Sequence, residues 1–334
     1  MARSRLLPDN FTLYLVSTVV LASLLPASGR LAQVLEVATT VAVSLLFFLH
    51  GAKLSREAIL AGITHWRLHL LVFCATFVLF PLLGLALKPV LAPLVTPALY
   101  VGVLYLCVLP ATVQSAIAFT SLARGNIPAA VCSASASTLL GVFVTPLLVN
   151  LLVVPHHMGS GSLDAIGRIL LQLMVPFVAG HLLRPWIGGF VKRHAPMLKF
   201  VDQGSILLVV YTAFSAAVIE GLWKQVPLSA LGGLLVVNAV LLTLALVLTT
   251  LAARKLGFDK ADEITIVFCG SKKSLASGVP MAKVLFPAAS VGAIVLPLML
   301  FHQMQLMVCA VLAQRYARRE TVEAAPVAAA PVAK

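Results

Sequence analysis

Apolar runs of membrane-crossing length follow one another along almost the whole chain, separated only by short breaks marked by charges, Pro or Gly. A helix needs about 20 apolar residues to cross the hydrocarbon of a bilayer. Runs near 11–28, 34–52, 68–88, 97–121, 127–153, 167–187, 203–223, 228–252, 262–283 and 289–313 therefore predict about ten transmembrane helices. Of the 334 residues, 60% are hydrophobic and 10% charged, whereas soluble domains carry roughly a quarter charged residues. The expected fold class is an all-α polytopic membrane protein.

The net charge of +13 raises the question of nucleic acid. A nucleic-acid binder gathers its basic residues on one soluble face. Here Lys and Arg sit singly or in pairs at the ends of apolar runs, which excludes that class and is instead a topology signal. With a cytosolic N-terminus, the inner segments hold Arg3, Arg5, Lys53, Arg56, Arg67, Arg124, Arg184, Lys192, Arg193, Lys199, Arg254, Lys255, Lys260, Arg315, Arg318 and Arg319. The outer segments hold only Arg30, Lys88, Arg168, Lys224 and Lys283. Cytosolic loops of membrane proteins carry the excess of Lys and Arg. Both termini are thus predicted to be cytosolic, in a multi-pass protein of the plasma membrane, the inner membrane if the source is bacterial.

Arg3 and Arg5 before an apolar stretch also fit a signal peptide, with Ala27 and Gly29 as a cleavage site. The repeat described next needs that helix to stay. Cys74, Cys107, Cys132, Cys269 and Cys309 all lie inside apolar runs. Their odd number does not suggest a disulfide framework, and they read as small buried residues.

SLARGNIPAA (121–130) resembles SLASGVPMA (274–282), and TPLLV (145–149) resembles LPLML (296–300). Both matches are offset by about half the chain, which suggests two five-helix halves. Five being odd, the halves are inverted relative to each other. Inverted repeats are a recurring plan of secondary transporters, whose sites lie at mid-membrane where matching helices are broken. The expected organisation is a cytosolic N-terminus (1–10), a first repeat (11–153), an external linker (154–166), a second repeat (167–315) and a disordered cytosolic tail (316–334).

Spans four and nine have the most polar, Pro- and Gly-containing interiors. Span four reads LPATVQSAIAFTSLARGN (109–126), in which Thr112, Gln114 and Ser115 follow Pro110. Span nine reads FCGSKKSLASGVP (268–280) and contains Cys269, Ser271, Lys272, Lys273 and Ser274. An unwound stretch at membrane depth is tolerated only against protein or a wet cavity. Its half-helix N-termini favour anions and its carbonyls favour cations. Lys272 and Lys273 are the sharpest feature, because an ionisable residue inside a span is a functional candidate by default. Placing them in a loop would need another span between residues 254 and 271, which Asp259, Lys260, Asp262 and Glu263 forbid. Snorkelling to an interface is the other alternative.

Span five offers Ser133 and Ser137, one turn apart, as site residues or as small residues easing helix packing. In span ten, His302, Gln303 and Gln305 suit a polar helix–helix contact as well as substrate binding, and Gln172 and Asn238 lean towards the former. His65 and His69, beside Trp66 and Arg67, read as an interfacial belt rather than metal ligands. No Asp or Glu lies near the middle of a span, so no carboxylate proton relay is visible.

These stretches, with LLFFLHGAKLSREAI (45–59), AAVCSASAS (129–137), DQGSILLVVYTAFS (202–215), DEITIVFCGSKKSLASGVPMA (262–282) and LPLMLFHQMQLMV (296–308), resemble the bile acid:sodium symporter superfamily. The resemblance is to its divergent branch related to solute carrier family 10 member 7, and it covers nearly the whole chain. It implies a ten-helix fold with a panel domain and a core domain, the latter containing crossed, discontinuous helices four and nine. Sodium-coupled members bind two sodium ions behind that crossover and carry organic anions. By position, the resemblance points to Gln114, Ser115, Ser133, Ser137 and Cys269 to Ser274.

The chain departs from the sodium-coupled pattern at the break in span nine. Cys269-Gly270-Ser271-Lys272-Lys273-Ser274 replaces the carboxylate and its polar neighbours, and Ala116 stands where an amide is expected. An ammonium group repels a sodium ion beside it. The expected function is secondary active transport of an organic, anionic solute, by movement of core against panel. Sodium symport and a sodium-independent carrier in which the lysines replace the ions both remain open. A membrane enzyme or a structural protein is the reading from another class. No cofactor other than sodium as a coupling ion is implied, and the partners are a small organic solute and the lipid bilayer, not nucleic acid. The oligomeric state is left open.

Overall fold

The computed structural model describes residues 10–53, 65–153 and 163–318. Arg3, Arg5, Arg56, residues 154–162 of the expected linker and the tail from residue 319 lie outside the described residues, as does the side chain of Gln172. All regular structure among the described residues is helical. The main helices are α1 (Asn10–Leu24), α2 (Gly29–Lys53), α3 (Trp66–Ala86), α4 (Pro97–Cys107), α5 (Gln114–Leu122) and α6 (Ile127–Val153). They continue as α7 (Leu163–Arg193), α8 (Ala195–Ile219), α9 (Leu228–Lys255), α10 (Lys260–Gly270), α11 (Leu275–Leu285) and α12 (Ala288–Ala317).

Six of these, α2, α3, α6, α8, α9 and α12, are long and apolar enough to cross a membrane. Two further apolar helices, α1 and α4, are shorter. Outward-facing Leu13, Val34, Leu82, Leu171, Val236 and Val308 are exposed, as expected of helices solvated by lipid rather than water. Most helix ends match the expected runs within a few residues. The largest departure is α8, which begins at Ala195 and not near residue 203. Pro196 in its first turn explains the early start, because proline is preorganised there and its missing N–H is not needed.

Element starts recur along the chain. Trp66 and Leu228, Pro97 and Lys260, Gln114 and Leu275, and Ile127 and Ala288 are separated by 162, 163, 161 and 161 residues. The short sequence matches do not follow this register. Ser121 lies at the end of α5, whereas Ser274 caps the start of α11. Those matches therefore occupy different structural positions and are not aligned copies.

α1 packs on α8, and α2 on α7 and α8; these four helices are termed the panel here, and the remaining helices, on which α8 also packs through α11 and α12, are termed the core. The helices α2 and α7 meet through Gly51 and Gly180. A Cβ on Gly51 would overlap the Phe177 carbonyl, and one on Gly180 the Phe48 carbonyl. Small residues at such a crossing let two backbones touch where lipid supplies no hydrophobic drive for association. The first helix is tied to both groups. Thr12 Oγ1 donates to Gln303 Oε1 (2.7 Å), and the Tyr211 hydroxyl donates to the Leu25 carbonyl (2.8 Å).

Two apolar runs are folded as pairs of shorter helices. Run 97–121 is interrupted between Cys107 and Gln114, around Pro110, and run 262–283 between Gly270 and Leu275. The Tyr105 hydroxyl donates to the Gly278 carbonyl (2.7 Å), tying α4 to α11. At the other end, the Asn126 N–H donates to Thr265 Oγ1 (3.0 Å) and Asn126 Nδ2 to Asp262 Oδ1 (2.8 Å), tying the turn after α5 to α10. That turn needs a left-handed residue, which is Arg124 (φ 57°) and not the following Gly125. Gly125 is required for a different reason: a Cβ there would press on Ile264 of α10.

Candidate functional site

The interrupted runs leave backbone N–H and C=O groups without helical partners, and each must be satisfied inside the membrane. In the first break, Val108 O accepts from Thr145 Oγ1 (2.8 Å). Pro110 O accepts from the Ser274 N–H (2.9 Å), and the Ala111 N–H donates to Ser137 Oγ (2.9 Å). The carbonyls of Cys107 and Leu109 both accept from Lys273 Nζ, each at 2.8 Å, and Thr76 O of α3 accepts the third bond at 2.7 Å. An ammonium has three donors, and all three are used. The Phe80 ring closes the cage, its centroid 4.2 Å from Nζ.

The peptide of Lys273 is held as firmly as its side chain. Its N–H donates to Gln305 Oε1 (2.9 Å), and Gln305 Nε2 donates to its carbonyl (3.0 Å). His302 Nδ1 lies 2.9 Å from the same Nε2. A side-chain amide thus replaces the helical partners that the break removed.

Lys272 is placed differently. Its Nζ donates to Ser115 O (2.9 Å) and lies 3.9 Å from the Phe119 ring centroid and 5.3 Å from that of Phe268. Both lysines are fully buried (0% exposed). Neither has a carboxylate partner among the described residues. Neither a loop nor snorkelling describes them. Transfer of a lysine to the centre of a membrane helix costs about 2.5–3.5 kcal/mol on insertion scales. Carbonyl dipoles and ring faces offset that cost here.

Beside the breaks lies a cavity of about 340 Å3 between core and panel. The core contributes Thr112, Gln114 and Ser115 at the start of α5, Ser274 to Ser277 at the start of α11, Ser135 and Thr138 of α6, and His302 of α12. The panel contributes Phe11, His50, Lys53, Phe177, Lys199, Asp202, Gln203 and Ile206. Lys53 and Asp202 form an ion pair. The first turns of α5 and α11 both border this space, and helix N-termini favour negative charge. A side-chain cap fixes the second of these turns. Ser274 Oγ accepts from the Ser277 N–H (3.2 Å), and the Thr112 and Ser115 hydroxyls lie 2.8 Å apart.

Of the residues singled out in the sequence, Thr112, Gln114, Ser115, Ser274 and His302 border the cavity. Lys272, Lys273, Ser137, Ser271 and Cys269 lie behind its wall. Ser271 Oγ closes its own helix by donating to Val267 O (2.6 Å), and Cys269 Sγ faces Ala130 O at 3.9 Å. Two residues are placed elsewhere. Ser133 Oγ lies 2.7 Å from His69 Nδ1, and Gln303 bonds Thr12 of α1. A helix face fixes where a side chain sits, not which neighbour reaches it, so neither pairing is visible in one segment. The same limit applies to His69, whose Ser133 contact was not part of the interfacial reading.

Sequence reasoning missed the panel side altogether, since Lys53, Lys199 and Asp202 read as span-end charges. It also left Gln305 undistinguished from its neighbours. Among the described residues, no group of three or more His, Cys, Asp or Glu is placed to hold a metal ion. The three carbonyls around Lys273 form a cation-binding constellation at the breaks, and an ammonium occupies it.

Long apolar helices surrounding two interrupted segments, with buried cations where those segments meet, have the build of a multi-pass membrane transporter. Over residues 9–318 the sequence matches the SBF-like CPA transporter family, and the chain belongs to it. It is similar to an uncharacterised protein of Pseudomonas aeruginosa, 70% identical over 99% of both chains. It is also similar to YfeH of Escherichia coli K12, a proposed symporter, 61% identical over 93% of both chains. Sodium/bile acid cotransporter 7 of Danio rerio is 29% identical over 92% of this chain and 94% of that one. The resemblance to the divergent branch related to solute carrier family 10 member 7 is thereby borne out.

Proposed function

We propose that the protein is a secondary transporter of a small organic anion that works without sodium, Lys273 standing where sodium-coupled relatives hold an ion. The observation that carries this reading is the Lys273 cage, with three backbone carbonyls at 2.7–2.8 Å from one ammonium. A sodium ion in the same place would meet a fixed positive charge. Ser137 is engaged in the break itself, its hydroxyl accepting the Ala111 N–H. Ser133 is committed to His69.

In this reading ten spans form two inverted halves, with both termini cytosolic in the bacterial inner membrane, and the core moves against the panel. The recurrence of element starts at 161–163 residues supports the two halves. The positions of Lys53 and Lys199, on the side with the basic excess, support a cavity open to the cytosol. Glu36 supports closure on the other side. Its carboxylate pairs with Lys283 Nζ of α11 at 2.6 Å, joining panel to core. Glu36 and Lys53 lie on one helix, about 25 Å apart at 1.5 Å per residue. The test is uptake into proteoliposomes with sodium replaced by potassium. Solute movement that is indifferent to sodium supports the reading, and strict dependence on a sodium gradient contradicts it.

A further inference from the structure

We infer that the solute is a small, hydroxyl-bearing organic acid, and that Lys199 selects its charge. This deepens the proposed function and rests on the cavity being the transport site. The cavity has a volume of about 340 Å3. It lies at the low end of the ~300–1,000 Å3 range of ligand pockets, whose walls are mostly apolar. This wall is not. Hydroxyls of Ser135, Thr138 and Ser277 and amides of Gln114 and Gln203 border the space.

Several of these groups are uncommitted. The side chains of Gln114, Gln203 and Ser135 make no hydrogen bond among the described residues, unlike Thr138, which donates to Ala134 O (3.1 Å). An apolar ring system would cover these amides and hydroxyls without bonding them, which is costly for buried polar groups. A polyhydroxy acid bonds them. The charges sort in the same way. Lys53 is neutralised by Asp202, whereas Lys199 has no ion-pair partner among the described residues, so it supplies the positive charge of the cavity mouth. Charge-lined clefts raise the local concentration of oppositely charged solutes.

The test uses purified full-length protein with two sets of probes at millimolar concentration. One set is malate, tartrate, gluconate and glucuronate; the other is taurocholate. Melting temperature is read for binding and counterflow in proteoliposomes for transport. At least one small acid is expected to raise the melting temperature by about 3 °C or more. That rise is expected to fall at least threefold in Lys199→Gln and in Gln203→Ala, with taurocholate giving none. Stabilisation by taurocholate alone, or by no member of the first set, overturns the inference. Taurocholate counterflow would leave the transport reading intact while sinking this one. Binding of a small acid without counterflow would sink the transport reading, and with it the claim that the acid is the solute. A rise that survives intact in Lys199→Gln removes the charge-selecting role.

Discussion

The side-chain amide of Gln305 grips both polar groups of the Lys273 peptide, at 2.9 Å from its N–H and 3.0 Å from its carbonyl. α12 is thereby coupled to the break between α10 and α11, and the caged ammonium is held by its backbone as well as its side chain. Gln305→Leu leaves both peptide groups buried and unpaired, at a cost of about 1–3 kcal/mol. Thermal unfolding in detergent should show a clear fall in melting temperature. Gln303→Leu, which loses only a bond to Thr12, is expected to fall by less than half as much. Equal falls would show that the clamp has no special weight.

Close approach of α2 and α7 depends on Gly51 and Gly180, where an added Cβ meets the opposing backbone carbonyl. Backbone cannot swing aside as a flexible side chain can. Gly180→Ala must push the helices apart and is expected to destabilise by about 1–3 kcal/mol, as overpacking does. Gly189, whose Cβ would meet nothing within 4 Å, is the control, and Gly189→Ala should leave melting nearly unchanged.

The Glu36–Lys283 pair joins panel to core on the side away from Lys53. Glu36→Lys alone places two like charges together and should shift the population towards an outward-open form. A single cysteine placed at Ser135 of the cavity wall would then react several-fold faster with a membrane-impermeant thiol reagent added outside. Combining Glu36→Lys with Lys283→Glu restores attraction and should restore slow labelling. Unchanged labelling in the single variant would exclude the pair as an outer closure.

Glu263 ties three core helices at one end of the bundle. Its carboxylate accepts from Arg254 of α9 (3.2 Å), Lys260 of α10 (2.6 Å) and Tyr316 of α12 (3.2 Å). Glu263→Gln removes the charge but keeps the shape, and is expected to cost about 1–2 kcal/mol because its cationic partners are partly exposed. Thermal melting at low and high salt checks this. The gap between wild type and variant should narrow as salt rises.

Much of the helical architecture could be read from the chain because lipid imposes it. Apolar length sets a span, and Pro110 and Gly270 mark where two runs are interrupted. Lys272 and Lys273 declared themselves by being charged where charge is costly, yet they looked equivalent. What separates them is invisible in sequence: Lys273 reaches carbonyls of Thr76, Cys107 and Leu109, and a carbonyl carries no residue signature. The panel half of the cavity was hidden for the opposite reason. Lys53, Lys199 and Asp202 carry strong signals, but at span ends the positive-inside bias already accounts for basic residues. The SLA-type matches do not coincide with the recurrence of helix starts, because short matches in Ala/Leu-rich sequence follow composition whereas the helix starts follow the breaks.

The most direct test is the melting temperature of the purified protein in sodium chloride and in potassium chloride at equal ionic strength. A ligand that binds only the folded state raises stability with its concentration. With Lys273 as the resident cation, the two salts should give the same curve, while Lys273→Ala, with its three carbonyls vacated, should gain a rise specific to sodium. A sodium-specific rise in the unaltered protein would mean that an ion site exists beside the lysines, and would contradict the account.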